Sequence, residues 1–125
     1  MLVDARLEPA QVRRNGSVKI TTTWRVEDHV SGPWQLYDQI ESRDPNYFTS
    51  ENHTPLDGLH PVASWQPGTW VIDTHSVAIN PALPTGETKV WVGLRYENKR
   101  MTVSDAGNAV AERKRALAGA ITILP

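Results

Sequence analysis

The chain has no cysteine among its 125 residues. That excludes a disulfide framework and thiolate-ligated zinc, and it suits a reducing or an oxidising compartment equally. An excess of one charge is also missing. Thirteen Lys and Arg against fourteen Asp and Glu leave a formal net charge of −1, so neither nucleic acid nor an anionic membrane surface is an expected partner. No apolar run approaches the ~20 residues of a membrane span. Met1-Leu2-Val3-Asp4 has neither the basic start nor the longer apolar stretch of a signal peptide. The expectation is either a cytoplasmic protein or a domain of a longer exported or membrane-anchored chain. Phenylalanine is scarce, with one Phe against five Trp. Trp-rich β domains bind sugars or peptides, yet Trp is also a common core residue of sandwiches.

What is present is turn chemistry and two-residue alternation. The length suits one domain, residues 1–125, able to bury a real core. Residues 2–9 alternate weakly and end at a proline, and Asn15-Gly16 marks a turn. In residues 17–27, Val18, Ile20, Thr22, Trp24 and Val26 share one face, while Lys19, Thr21, Thr23 and Arg25 share the other. That is a half-buried antiparallel strand. Residues 34–40 read as a strand with Trp34, Leu36 and Ile40 in phase. Asp38 falls on the same face and spoils the pattern, so a bulge or strand end is expected there. Residues 41–53 are polar and read as a long exposed loop, and 55–68 as a structured loop with three prolines and two glycines. Strands follow at 70–79 and 87–96, and a short one begins near Arg100. A closing strand at 116–124 has Leu117, Gly119, Ile121 and Ile123 in phase. Residues 108–117 are ambiguous, with helix-favouring composition before that strand. The predicted fold is an all-β, immunoglobulin-like antiparallel β-sandwich of seven to nine strands. Its predicted core is Val18, Ile20, Trp24, Leu36, Val77, Ile79, Val90, Val92, Ile121 and Ile123.

A family pattern runs through the middle of the chain. One strand carries Trp34, Leu36, Tyr37, Gln39 and Ile40. A turn follows with Pro55, Gly58, Pro61, Trp65, Pro67 and Gly68. Asp73, Val77 and Ile79 lie on the next strand. Then come Leu83-Pro84-Thr85-Gly86 and a strand with Val90, Val92, Gly93, Leu94 and Tyr96. Together these resemble a β-sandwich domain of bacterial multi-spanning membrane proteins, the lipid-linked-sugar glycosyltransferases of the dolichyl-phosphate-mannose mannosyltransferase type. The chain departs at Gln39, Val62 and Thr88, where the family has His, Thr and Tyr, so roles tied to those side chains do not carry over. The resemblance implies a fold and an extracytoplasmic setting, periplasmic or cell-surface, as a domain of a longer chain. It implies no reaction, since the chemistry of those proteins sits in their membrane-embedded parts.

Candidate site residues each have a plainer reading. Asp73 and His75 share a strand face, as half of a metal site or acid–base dyad would, with His53, Asp57 and His60 as completing groups. The plainer reading has Asp73 accepting N–H bonds from the Trp65-Gln66-Pro67-Gly68 turn and His75 at the surface. Asp57, His60 and Ser64 are triad residue types without a nucleophile elbow. Asp105-Ala106-Gly107-Asn108 starts like a calcium loop but lacks the remaining ligands. Glu112-Arg113-Lys114-Arg115 reads as solvated. The expectation is no catalytic residue, no metal and no cofactor. Trp70 and Trp91 lie opposite the better aliphatic sets of their strands, so both rings are expected outward as an apolar binding platform. The sequence therefore reads as a non-enzymatic extracytoplasmic interaction module, with a protein partner or parent membrane protein. A carbohydrate-binding accessory domain is the alternative, and a metal-dependent hydrolase a distant third.

Overall fold

The computed structural model describes residues 1–41, 49–55, 60–97, 99–101, 111–112 and 115–125. They form two facing sheets. One has three strands: β1 (Leu2–Glu8), β3 (Ser17–Arg25) and β6 (Trp70–Ala78), in the order β1-β3-β6. The other follows the order β2-β10-β7-β4-β5, from β2 (Gln11–Arg13), β10 (Arg115–Leu124), β7 (Gly86–Tyr96), β4 (Gln35–Ile40) and β5 (Thr49–His53). Short strands β8 (Lys99–Met101) and β9 (Ala111–Glu112) pair β7 and β10. All pairings are antiparallel except β2 with β10. The order matches the A-B-E and G-F-C-C′ arrangement of an immunoglobulin sandwich.

The alternation in β3 has its expected consequence. Val18, Ile20, Thr22 and Trp24 are buried, while the intervening residues are exposed or half-buried. All ten residues expected in the core lie in one buried cluster between the sheets. Two local readings change. Residues 49–53, taken as part of a loop, form β5, paired with β4 from Leu36↔His53 to Ile40↔Thr49. In β10 a bulge between Leu117 and Gly119 shifts the register against β7. Ala116 is therefore fully buried and Leu117 only half-buried, so Leu117 does not share the phase of Ile121 and Ile123. Gly119 sits at φ 154°, a conformation that favours glycine.

The seven-stranded sheet is buried on both faces near its centre. Val90, Val92 and Leu94 of β7 face the other sheet, while Tyr37 and Trp91 are buried on the outer face. The guanidinium of Arg115 stands 4.1 Å above the Trp91 ring and that of Arg100 5.3 Å above Tyr37. Among the described residues β6 and β5 are edge strands of their respective sheets, and they face each other.

Candidate functional site

Asp38 is where the apolar alternation of β4 fails, and the site begins there. The strand runs through it without a bulge, pairing Asp38 with Glu51 on one side and Val92 on the other. Its carboxylate is therefore buried in phase with Leu36 and Ile40. A carboxylate in that position is costly unless partnered. Two histidines approach it. His75 Nδ1 lies 2.6 Å from Asp38 Oδ2, and His53 Nδ1 lies 3.3 Å from the same oxygen. The imidazoles stack, with centroids 3.9 Å apart and planes 13° apart.

Each ring turns its other nitrogen to a second carboxylate. His53 Nε2 is 2.5 Å from Asp73 Oδ2, and His75 Nε2 is 3.7 Å from Glu51 Oε2. The pleat explains the grouping: Asp73 and His75 are two apart on β6, and Glu51 and His53 two apart on β5, so each pair shares a face. The cluster is thus a polar seam joining the edges of the two sheets, where apolar packing would otherwise sit. Asp38 and Asp73 are buried and the His53 side chain is 10 % exposed, while His75 and Glu51 open towards solvent. His53 Nδ1 is buried without a hydrogen-bond partner among the described residues. The hydrogen bond with Asp38 raises the His75 pKa above its ordinary value; burial opposes the rise, and the charges of Asp38, Glu51 and Asp73 add to it.

Several sequence expectations are settled by these positions. Asp73 and His75 do share a face, and His53 joins them. Asp73 does not serve the turn before β6: the Gly68 N–H donates to the Val26 carbonyl and that of Thr69 to Gln66. His75 is not a free surface residue. His60 instead packs against Trp65, ring centroids 6.0 Å apart. Ser64 Oγ donates to the Pro61 carbonyl at 2.7 Å, closing its own turn. Asp57, Asp105 and Asn108 lie outside the described residues. Arg115 is buried rather than solvated, donating to Gln39 Oε1 at 2.7 Å, while Arg113 and Lys114 lie outside the described residues.

The tryptophan platform needs correction. Trp70 is 60 % exposed, as expected, but Trp91 is 2 % exposed. Trp91 does point away from the aliphatic set of its strand, yet Arg115 covers its ring and its Nε1 donates to Glu41 Oε2 at 3.1 Å. The two rings also belong to different sheets. The exposed neighbour of Trp70 is Ile72, 66 % exposed on the same face of β6. A hollow of about 180 Å³ at one end of the sandwich, walled by Trp24, Val26, Trp65, Leu94 and Met101, is smaller than the ~300–1,000 Å³ of most small-molecule sites.

Asp38 and Glu51 were not singled out by sequence reasoning. The signal for Asp38 was present, as a carboxylate in an aliphatic phase. For Glu51 it was weak, because Thr49-Ser50-Glu51-Asn52-His53 has no apolar member to reveal a strand. No protein-family model matches the chain, and no curated protein matches it significantly.

Proposed function

We propose that this domain is a non-enzymatic binding module that docks an extended segment of a protein partner along β6. The observation that carries this reading is the adjacent exposure of Trp70 and Ile72 on β6, which is an edge strand among the described residues. Large apolar side chains in adjacent exposed positions mark contact surfaces. An edge strand adds a row of backbone donors and acceptors that a partner strand can pair. In strand addition the main chain supplies affinity, and alternate side chains supply specificity. Trp70 suits this role because its ring offers large contact area for little lost rotamer freedom. Protein rather than sugar is the favoured occupant, because a stacking platform of two rings loses Trp91 to the interior. The extracytoplasmic setting follows from the resemblance in residues 34–94, and the partner is the membrane protein that carries the domain or one beside it.

A photo-crosslinking side chain at position 72 tests this. It should trap one discrete protein. That protein, purified, should bind the Trp70→Ala, Ile72→Ser double variant at least about tenfold more weakly, the loss of about 1.4 kcal/mol expected when contact residues are truncated. Equal binding by the double variant, at unchanged melting temperature, would overturn the proposal. A glycan-array signal lost in Trp70→Ala would move the reading to carbohydrate.

A further inference from the structure

The geometry points to a binding site for a divalent transition-metal ion, built from Asp38, His53 and His75 across the two sheet edges. The ligating atoms these residues offer lie within 4.8 Å of one another. The 3.3 Å between His53 Nδ1 and Asp38 Oδ2 is close to the roughly 3.3 Å edge of a tetrahedron of ligands around zinc, while the 2.6 Å hydrogen bond from His75 Nδ1 to the same oxygen must open for the ion to enter. His53 Nδ1 is the second, independent sign. It is a buried ring nitrogen with no hydrogen-bond partner among the described residues, on a side chain nine-tenths buried, aimed at the Asp38 oxygen.

The surroundings of the rings add to this. Metal-bound histidines characteristically present their other nitrogen to a carboxylate or carbonyl, which fixes tautomer and orientation. His53 does so, with Nε2 2.5 Å from Asp73 Oδ2, whereas His75 Nε2 stands 3.7 Å from Glu51 Oε2 and leaves that ring free to reorient. Charge is compatible with an ion. With both rings neutral, as metal ligation requires, the carboxylates of Asp38, Asp73 and Glu51 carry three negative charges, and a divalent cation offsets two of them.

Two imidazoles and one carboxylate oxygen suit zinc, nickel or copper rather than calcium or magnesium, which take oxygen donors. Three protein ligands leave a coordination position open towards the solvent side of His75. The site also makes a structural prediction about itself. An ion lies in the plane of each imidazole it binds, and rings stacked 3.9 Å apart cannot share one. His53 is held by Asp73, so His75, the more exposed ring, turns on binding.

The experiment is zinc titration of the chelator-stripped protein against a chromophoric competitor, with elemental analysis after gel filtration. The wild type should take up about one equivalent and melt at higher temperature, as a ligand of the folded state requires. Imidazole ¹⁵N shifts should place the ion on Nδ1 of both rings. His53→Gln and His75→Gln should each abolish stoichiometric uptake. Asp73→Asn leaves the three ligands in place and should weaken affinity by about 10–100-fold. Calcium should not compete. A wild type that takes up no zinc at 100-fold excess over protein, or calcium competing equally, overturns the site whether or not any variant folds. So does uptake unchanged in both histidine variants.

Discussion

Asp38 occupies a core position of β4, and the residues around it are arranged to make that tolerable. His75 is the member whose ionisation responds most clearly. Its pKa is raised in the folded protein, first by the hydrogen bond with Asp38. The groups facing it are Asp38 on β4, Glu51 and His53 on β5, and Asp73 on β6. Between the ordinary histidine value and the raised one, the folded state holds a proton that the unfolded state has lost. Stability from His75 is therefore complete below about pH 6.5 and falls as pH rises through the folded pKa. In metal-free protein, the melting-temperature gap between wild type and His75→Gln should shrink as pH is raised above neutrality. A widening gap would contradict the pairing. A second residue-level test lies on the outer face. Tyr37 is fully buried, its hydroxyl has no hydrogen-bond partner among the described residues, and a Cβ at Gly93 would meet its Cε1 at 2.8 Å. Gly93→Ala should cost about 1–3 kcal/mol through overpacking. Tyr37→Phe should be neutral or stabilising, because it removes a buried hydroxyl with no partner among the described residues. Urea titration measures both.

Strands decide what a tryptophan does. Trp70 and Trp91 each stand opposite the aliphatic side of their strand, but the strands are placed differently. β6 is the edge of a three-stranded sheet whose outer face meets solvent at Trp70 and Ile72. β7 lies between β10 and β4, and the Arg115 side chain of β10 lies across its outer face. Trp91→Ala should therefore destabilise by about 3–5 kcal/mol, the cost of truncating a buried aromatic. The Trp70→Ala, Ile72→Ser pair should change stability by no more than about 1 kcal/mol in total, as exposed substitutions do. Chemical denaturation with unchanged m-values distinguishes the two. A large loss in the β6 pair would place those side chains in a core and remove the proposed docking strip.

The sandwich as a whole is joined by two kinds of contact. Over most of its area the sheets meet through Val18, Ile20, Trp24, Leu36, Val77, Val90, Val92 and Ile121. At the β5–β6 edge they meet through the Asp–His seam. The apolar part sets global stability. Trp24 is its largest member on β3 and donates from Nε1 to Thr22 Oγ1 at 2.8 Å. Trp24→Ala should cost about 3–5 kcal/mol and leave the buried Thr22 hydroxyl unpaired. A loss under about 1 kcal/mol in a urea melt would mean that Trp24 does not bridge the sheets.

The sandwich architecture and its core were legible in the chain itself, because alternation and turn residues are local. A period of two assigns each side chain a face, and Pro and Gly mark where direction changes. Val18, Ile20, Trp24, Val77 and Ile123 follow from that alone. Local information stops at the strand. It assigned Trp91 to the outer face correctly, but could not show that Arg115, from the far end of the chain, would lie over its ring or that Glu41 would accept from its Nε1. It recorded Asp38 as an interruption, yet could not say that β5 and β6 would bring His53 and His75 to it. Those strands are edges of different sheets, and nothing along the chain specifies which edges will face each other. That is decided when the sheets close over their apolar faces, and the seam of carboxylates and imidazoles is assembled by the same step.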